Sequence, residues 1–173
     1  MKTFYSNLKI LLFVSLFLAS ACQESTAPES KYGVVVAIDA TFIPMSFMNT
    51  ENQLDGFEVD LIKEVAQEAN LKYELVNVEW GGLFGGLITG KFDLVISSVG
   101  IIEERKKRMA FSIPYMQSGA AVLVRNNMTD IKSLEDLEEQ NATVGAQINT
   151  TSHYFLEKYS GIKINSFGKF ILL

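Results

Sequence analysis

Hydrophobic and polar positions along this chain follow two periods, and the alternation of the two predicts its elements. Val34 to Ile38 is apolar throughout and is bounded by Gly33 and Asp39, which predicts a strand buried on both faces. Over residues 57–69 the period changes: Phe57, Leu61, Val65 and Ala69 fall four apart with Ile62 and Ala66 alongside, the stripe of a helix packed on a sheet. Residues 72–78 alternate again, predicting a second strand, so the first elements form a βαβ unit. A short apolar, glycine-laced stretch, 83–88, closes at Gly90 and is followed by a third buried strand over Phe92 to Ile96. Glu103 to Met109 predicts a brief helix, and Pro114 breaks regularity in 111–115. Beyond it the pattern predicts a strand over Gly119 to Arg125 and a helix from the capping-box spacing at Ser133 and Asp136 to about Glu139. A strand over Thr143 to Gln147, a helix opened by 149–151 and running to about Tyr159, and a strand over 162–167 complete the chain.

Strands alternating with helices argue for an α/β, doubly wound architecture, and ligands in such folds sit beyond the carboxyl ends of the strands. The residues at those ends are Asp39 to Phe42, Trp80, Ser97 to Gly100 with Arg105, and Gln147 to Thr151. The third set carries the sharpest chemistry. A small-residue turn opens a helix, where backbone N–H groups lack intrahelical partners, and a guanidinium follows five residues after Gly100. That combination suits a small carboxylate. By itself the run from Glu103 to Arg108 is equally a solvated helix face.

Composition narrows the partners. The chain has 173 residues, 48% hydrophobic and 20% charged, which is globular, and its formal charge of −5 offers no basic stripe for nucleic acid. One cysteine and one histidine cannot form a metal-ligand set, so neither a metal nor another cofactor is expected. Lys2 and Lys9, the apolar run from Ile10 to Leu18 and the small residues after it mark 1–22 as an export signal too short to span a bilayer comfortably. Cys22 follows Leu18-Ala19-Ser20-Ala21, which resembles the bacterial lipoprotein signal, whose cysteine is lipidated; an ordinary secretory cleavage near Ala21 is the other reading. Residues 23–32, rich in Glu, Ser and Thr, are expected to form a flexible tether.

The ordered set Asp39-Ala40-Thr41-Phe42-Ile43-Pro44, Asp55-Gly56-Phe57-Glu58-Val59-Asp60-Leu61, Gly90-Lys91-Phe92-Asp93, Glu104-Arg105-Lys106-Lys107 and Phe111-Ser112-Ile113-Pro114-Tyr115 resembles the polar amino acid-binding proteins. These are solute-binding family 3 of bacterial ATP-binding-cassette importers, and the resemblance runs from about Gly33 to Tyr159. It implies a periplasmic-binding-protein-like fold of two lobes closing on an amino acid, with the first lobe at 33–118 and a partial second lobe at 119–173. It further implies that Arg105 holds the ligand carboxylate as a bidentate pair, helped by N–H groups near Ser98 and Gly100. Phe42 and Trp80 would wall the ligand side chain; without the resemblance both rings would belong to the core. Asp39 would line the pocket or brace it, or else cap a turn. Gln147, Thr150 and Thr151 would present a hydroxyl and a helix start to the same carboxylate, or Thr150 would simply cap.

There are departures from the pattern. Gly100 replaces a usual threonine or serine, and Asn149 a usual glycine. Family members also continue for about another third of a chain, so a truncated or split reading frame with reduced or lost binding is expected; a longer polypeptide found by mass spectrometry in the native host would refute this. The expected role is the binding component of an importer, without catalysis, monomeric, held to a bacterial membrane by lipid on Cys22 at the periplasm or cell surface, and working with a transporter permease. The alternatives are an exported enzyme on the same fold (a dehydratase or the regulatory module of a lytic enzyme) and a sensor's ligand-binding domain. For the enzyme the only candidate acid is Asp39, and His153 is expected at the surface.

Overall fold

The computed structural model describes residues 33–169; the export signal, Cys22 and the tether expected over 1–32 lie outside the described residues. Within them the chain forms two α/β units. The first is built on β1 (Val34–Ile38), the middle strand of a parallel sheet ordered β5-β1-β6, with β5 at Tyr73–Asn77 and β6 at Leu94–Val95. Val34 pairs with Tyr73, Ile38 with Asn77, and Val36 with Leu94. A strand flanked on both sides needs apolar residues throughout, and Val36, Ala37 and Ile38 are fully buried. Between β1 and the first helix a three-stranded meander intervenes: β2 (Thr41–Phe42), β3 (Ser46–Met48) and β4 (Leu54–Asp55). These strands are too short for periodicity to reveal.

Helix α1 (Phe57–Glu68) lies where the sequence predicts it, but its buried face is turned by one residue. Glu58, Ile62 and Ala66 face inward, while Phe57 and Val65 remain about half exposed. The cause is Glu58, which is drawn inside by donors from two other segments. Gly56 precedes it at φ 120, and a Cβ there would stand 2.6 Å from the Met45 carbonyl oxygen, so only glycine fits this junction. Helix α2 (Trp80–Ile88) packs Trp80 and Leu83 against Ala37 and Phe92. The third strand is shorter than expected, although the backbone bonds Asp93 N–H to Val35 O and Ile96 N–H to Ala37 O continue its alignment with β1.

Helix α3 (Glu103–Lys106) is one turn long and stops short of Met109. No strand forms over 119–125, contrary to expectation. Its backbone finds no ladder among the described strands, and a β-run without a partner has nothing to satisfy its N–H and C=O groups except water. The second unit is a two-stranded parallel sheet of β7 (Thr143–Gln147) and β8 (Lys163–Phe167), with α4 (Leu134–Glu139) and α5 (Thr151–Leu156). Helix α5 ends before the expected Tyr159. Ser133 and Asp136 do form the capping box, Ser133 Oγ accepting from the Asp136 N–H at 3.2 Å and Asp136 Oδ2 from the Ser133 N–H at 2.8 Å. Ile131, Leu137, Ala146, Leu156 and Ile162 form this unit's own core. His153, expected at the surface, is half-buried, with Nε2 2.9 Å from Ser166 Oγ.

Candidate functional site

The carboxyl ends of β1, β5, β6 and β7 meet at one concavity, lined by Asp39, Phe42, Trp80, Ser98, Gly100, Gln147, Thr150 and Thr151. Arg105 alone among the expected site residues lies beneath this lining, only 6% exposed. Its guanidinium carbon stands 4.8 Å from the Phe84 ring centre, 5.7 Å from Trp80 and 6.0 Å from Tyr154. Aromatic faces favour a cation and exclude water from it. Nη1 donates to the Gly100 carbonyl at 2.6 Å and Nη2 to the Asn149 carbonyl at 2.5 Å, so the arginine joins the two units. Among the described residues no carboxylate pairs with it. Burial pushes its pKa below the usual guanidinium value, yet a guanidinium keeps its charge in proteins. The result is a buried, planar cation that holds only neutral acceptors.

Asp39 is buried and braces the site. Its Oδ1 accepts from the Thr41 hydroxyl at 2.8 Å and its Oδ2 from the Trp80 N–H at 2.8 Å, at the first residue of α2. Its own N–H donates to Ser97 Oγ at 3.1 Å, and its carbonyl accepts from Ser46 Oγ at 2.7 Å. Both carboxylate oxygens therefore hold protein donors, the arrangement of a brace, while the residue also lines the concavity. Trp80 is 8% exposed, set edge-on to Phe84 with ring centres 5.1 Å apart, and its Nε1–H donates to the Ile148 carbonyl at 2.9 Å. Phe42, in β2, is 44% exposed at the rim.

The expected free N–H near Ser98 is not free: it donates to Glu58 Oε1 at 2.5 Å, and the Ser98 hydroxyl donates to the same oxygen at 3.0 Å. Gly100 lies so close to the Thr151 methyl that a Cβ at this position would overlap it unless the threonine side chain turned aside. Thr150 caps α5, its hydroxyl accepting from the His153 N–H at 3.2 Å and donating to the Gln147 carbonyl at 2.7 Å. Gln147 Nε2 donates to the Gly168 carbonyl at 3.3 Å. Across the same junction Lys169 Nζ pairs with Glu79 at 2.5 Å, and that carboxylate raises the lysine's pKa.

Sequence reasoning passed over Glu58, Tyr115 and Glu79 as site residues. Glu58 did leave a signal, an acid four and eight residues before Ile62 and Ala66 on the stripe that proves to be buried. The phenol of Tyr115 donates to Glu58 Oε1, and burial together with that carboxylate pushes its pKa well above the usual tyrosine value.

The model of the bacterial extracellular solute-binding proteins, family 3, matches residues 34–162. A probable amino-acid ABC transporter-binding protein of Haemophilus influenzae is 29% identical over 151 residues, covering 82% of this chain and 59% of the relative. Among solved structures, an ancestral arginine-binding protein bound to arginine superposes with a TM-score of 0.73 at 37% identity, covering 79% of this chain and 61% of that one. The ancestral amino acid-binding protein AncCDT-1, a precursor of cyclohexadienyl dehydratase, superposes with a TM-score of 0.71 at 40% identity, covering 78% and 60%. The chain thus spans about three-fifths of the length of the proteins it matches, and its two units are part of the periplasmic amino-acid-binding fold. With parallel strands opening on a shared concavity and a family match across both units, the chain belongs to the bacterial extracellular solute-binding proteins, family 3.

Proposed function

We propose that this chain binds a polar amino acid in the concavity between its two units and serves as the solute-binding component of an ATP-binding-cassette importer. One observation carries the reading: Arg105 is a buried guanidinium ringed by aromatic faces and satisfied only by two backbone carbonyls. A ligand carboxylate offers that planar fork two charged acceptors, roughly twice as strong as the neutral ones it would displace. Displacing Asn149 would exchange a direct tie between the units for one made through the ligand, so only the closed arrangement holds the solute from both sides. Phe42 and Trp80 supply apolar surface for the side chain.

The commitment of both Asp39 oxygens to Thr41 and Trp80 supports binding over acid–base chemistry, because a general acid must reach its substrate. The protein would act at the periplasm or cell surface, tethered by lipid on Cys22, and would hand its solute to a permease. Isothermal titration of arginine, lysine, histidine, glutamine and glutamate into the purified chain tests the binding. Saturable heat for at least one of them is expected, and none for any would reject the proposal. For the tether, Cys22→Ser should release the chain from membranes into the soluble fraction; unchanged membrane retention would count against acylation.

A further inference from the structure

Glu58 is fully buried, whereas Asp60, Glu64 and Glu68 on the same helix are exposed. One oxygen, Oε1, accepts from the Ser98 N–H, the Ser98 hydroxyl and the Tyr115 phenol. Ser98 and Tyr115 flank the segment that carries Gly100, α3 and Arg105, so both ends of that segment meet on a single carboxylate oxygen. At the near end Ser98 sits at φ 47, a left-handed conformation that serine seldom adopts, and its two bonds to Glu58 hold it there. Two residues later the Gly100 carbonyl receives Arg105 Nη1 at 2.6 Å. A path of direct bonds therefore runs from Glu58 through the turn at Ser98 to the carbonyl that aims the guanidinium. The second Glu58 oxygen is buried without a partner, so nothing else in the described residues accounts for this acid being inside.

We infer that Glu58 is the positioning residue for Arg105: it closes segment 98–115 into a loop and thereby fixes where the guanidinium points. This rests on the reading of the concavity as a carboxylate site, and it adds a determinant of affinity that touches no ligand. Two readouts on the full chain test it, backbone amide hydrogen exchange and titration with L-arginine. In Glu58→Ala the Ser98 and Arg105 amides should exchange at least tenfold faster while those of Val36 and Ala37 keep their protection. Glu58→Gln, which retains the volume and a neutral acceptor, should show at least a threefold acceleration at Ser98 and Arg105 and at least fivefold weaker L-arginine binding. If the alanine variant fails to fold, the glutamine variant decides. Unchanged exchange at both amides in a folded variant overturns the inference, as does a loss of protection spread evenly over β1. If the unsubstituted chain takes up none of arginine, lysine, histidine, glutamine and glutamate, the ligand reading fails, and the exchange measurements still decide the role of Glu58; if it takes up one of the others, that amino acid replaces L-arginine in the titration.

Discussion

The Trp80 indole N–H donates to the Ile148 carbonyl at 2.9 Å, tying the first turn of α2 to the loop after β7 in the other unit. Trp80 is the only tryptophan of the chain, so its emission reports on that junction without labelling. Adding a bound amino acid should shift its fluorescence saturably, because Arg105, 5.7 Å from the ring, exchanges a carbonyl for the ligand. Trp80→Phe should lower stability by roughly 0.5–1.5 kcal/mol through the lost hydrogen bond alone. A chain that binds solute by calorimetry with no change in emission would contradict the placement of Trp80 beside the site.

Asp39 braces the turn between β1 and the meander. Removing its carboxylate strands the Thr41 hydroxyl and the Trp80 N–H, and Asp39→Ala should cost about 1–3 kcal/mol in urea denaturation. Asp39→Asn should cost less, since one amide oxygen can still accept. A variant of unchanged stability but altered ligand preference would show that Asp39 faces the solute instead.

Tyr115 gives a pH signature. Its pKa is raised by burial and by Glu58, so the folded chain holds a proton that the unfolded chain releases near the usual tyrosine value. That contribution to stability is complete below the unfolded pKa of about 10 and is lost as pH rises towards the folded value. In an absorbance titration Tyr115 should ionise above the usual tyrosine value although its residue is 42% exposed, and Glu58→Gln should bring its ionisation to lower pH. A Tyr115 that ionises at the usual tyrosine value in the folded chain would contradict the Glu58 contact.

The stretch from Ile113 to Leu123 carries apolar side chains with little cover. Leu123 is 98% exposed and Ile113 is 87% exposed. Such a surface favours self-association, and Ile113→Lys with Leu123→Lys should reduce light scattering at equal concentration. Scattering unaffected by both changes would show that this stretch is not what associates.

How much of this could be read in the sequence depended on whether local pattern or distant partners fixed each part. Strand β1 was legible because a parallel strand flanked on both sides must be apolar at nearly every position, and α4 because Ser133 and Asp136 satisfy each other within one turn. The strand expected over 119–125 had the composition but no ladder, and composition cannot supply a partner. The site was legible as a set of strand ends, yet the state of each group was not. Whether the Ser98 N–H is open or engaged is decided by Glu58, 40 residues away in sequence, and whether Asp39 faces solute or protein is decided by Trp80, 41 residues away. The turned face of α1 has the same origin: hydrophobic spacing predicted an inward Phe57, and a polar cluster assembled from three segments placed Glu58 there.

The most direct test is calorimetric titration of the preferred amino acid into the chain and into Arg105→Ala, with circular dichroism to confirm that the variant is folded. The account predicts a loss of about 2–5 kcal/mol, roughly thirty- to several-thousand-fold in affinity, as for a truncated partner of a buried charge pair. Affinity equal to that of the unsubstituted chain in a folded Arg105→Ala variant would contradict it.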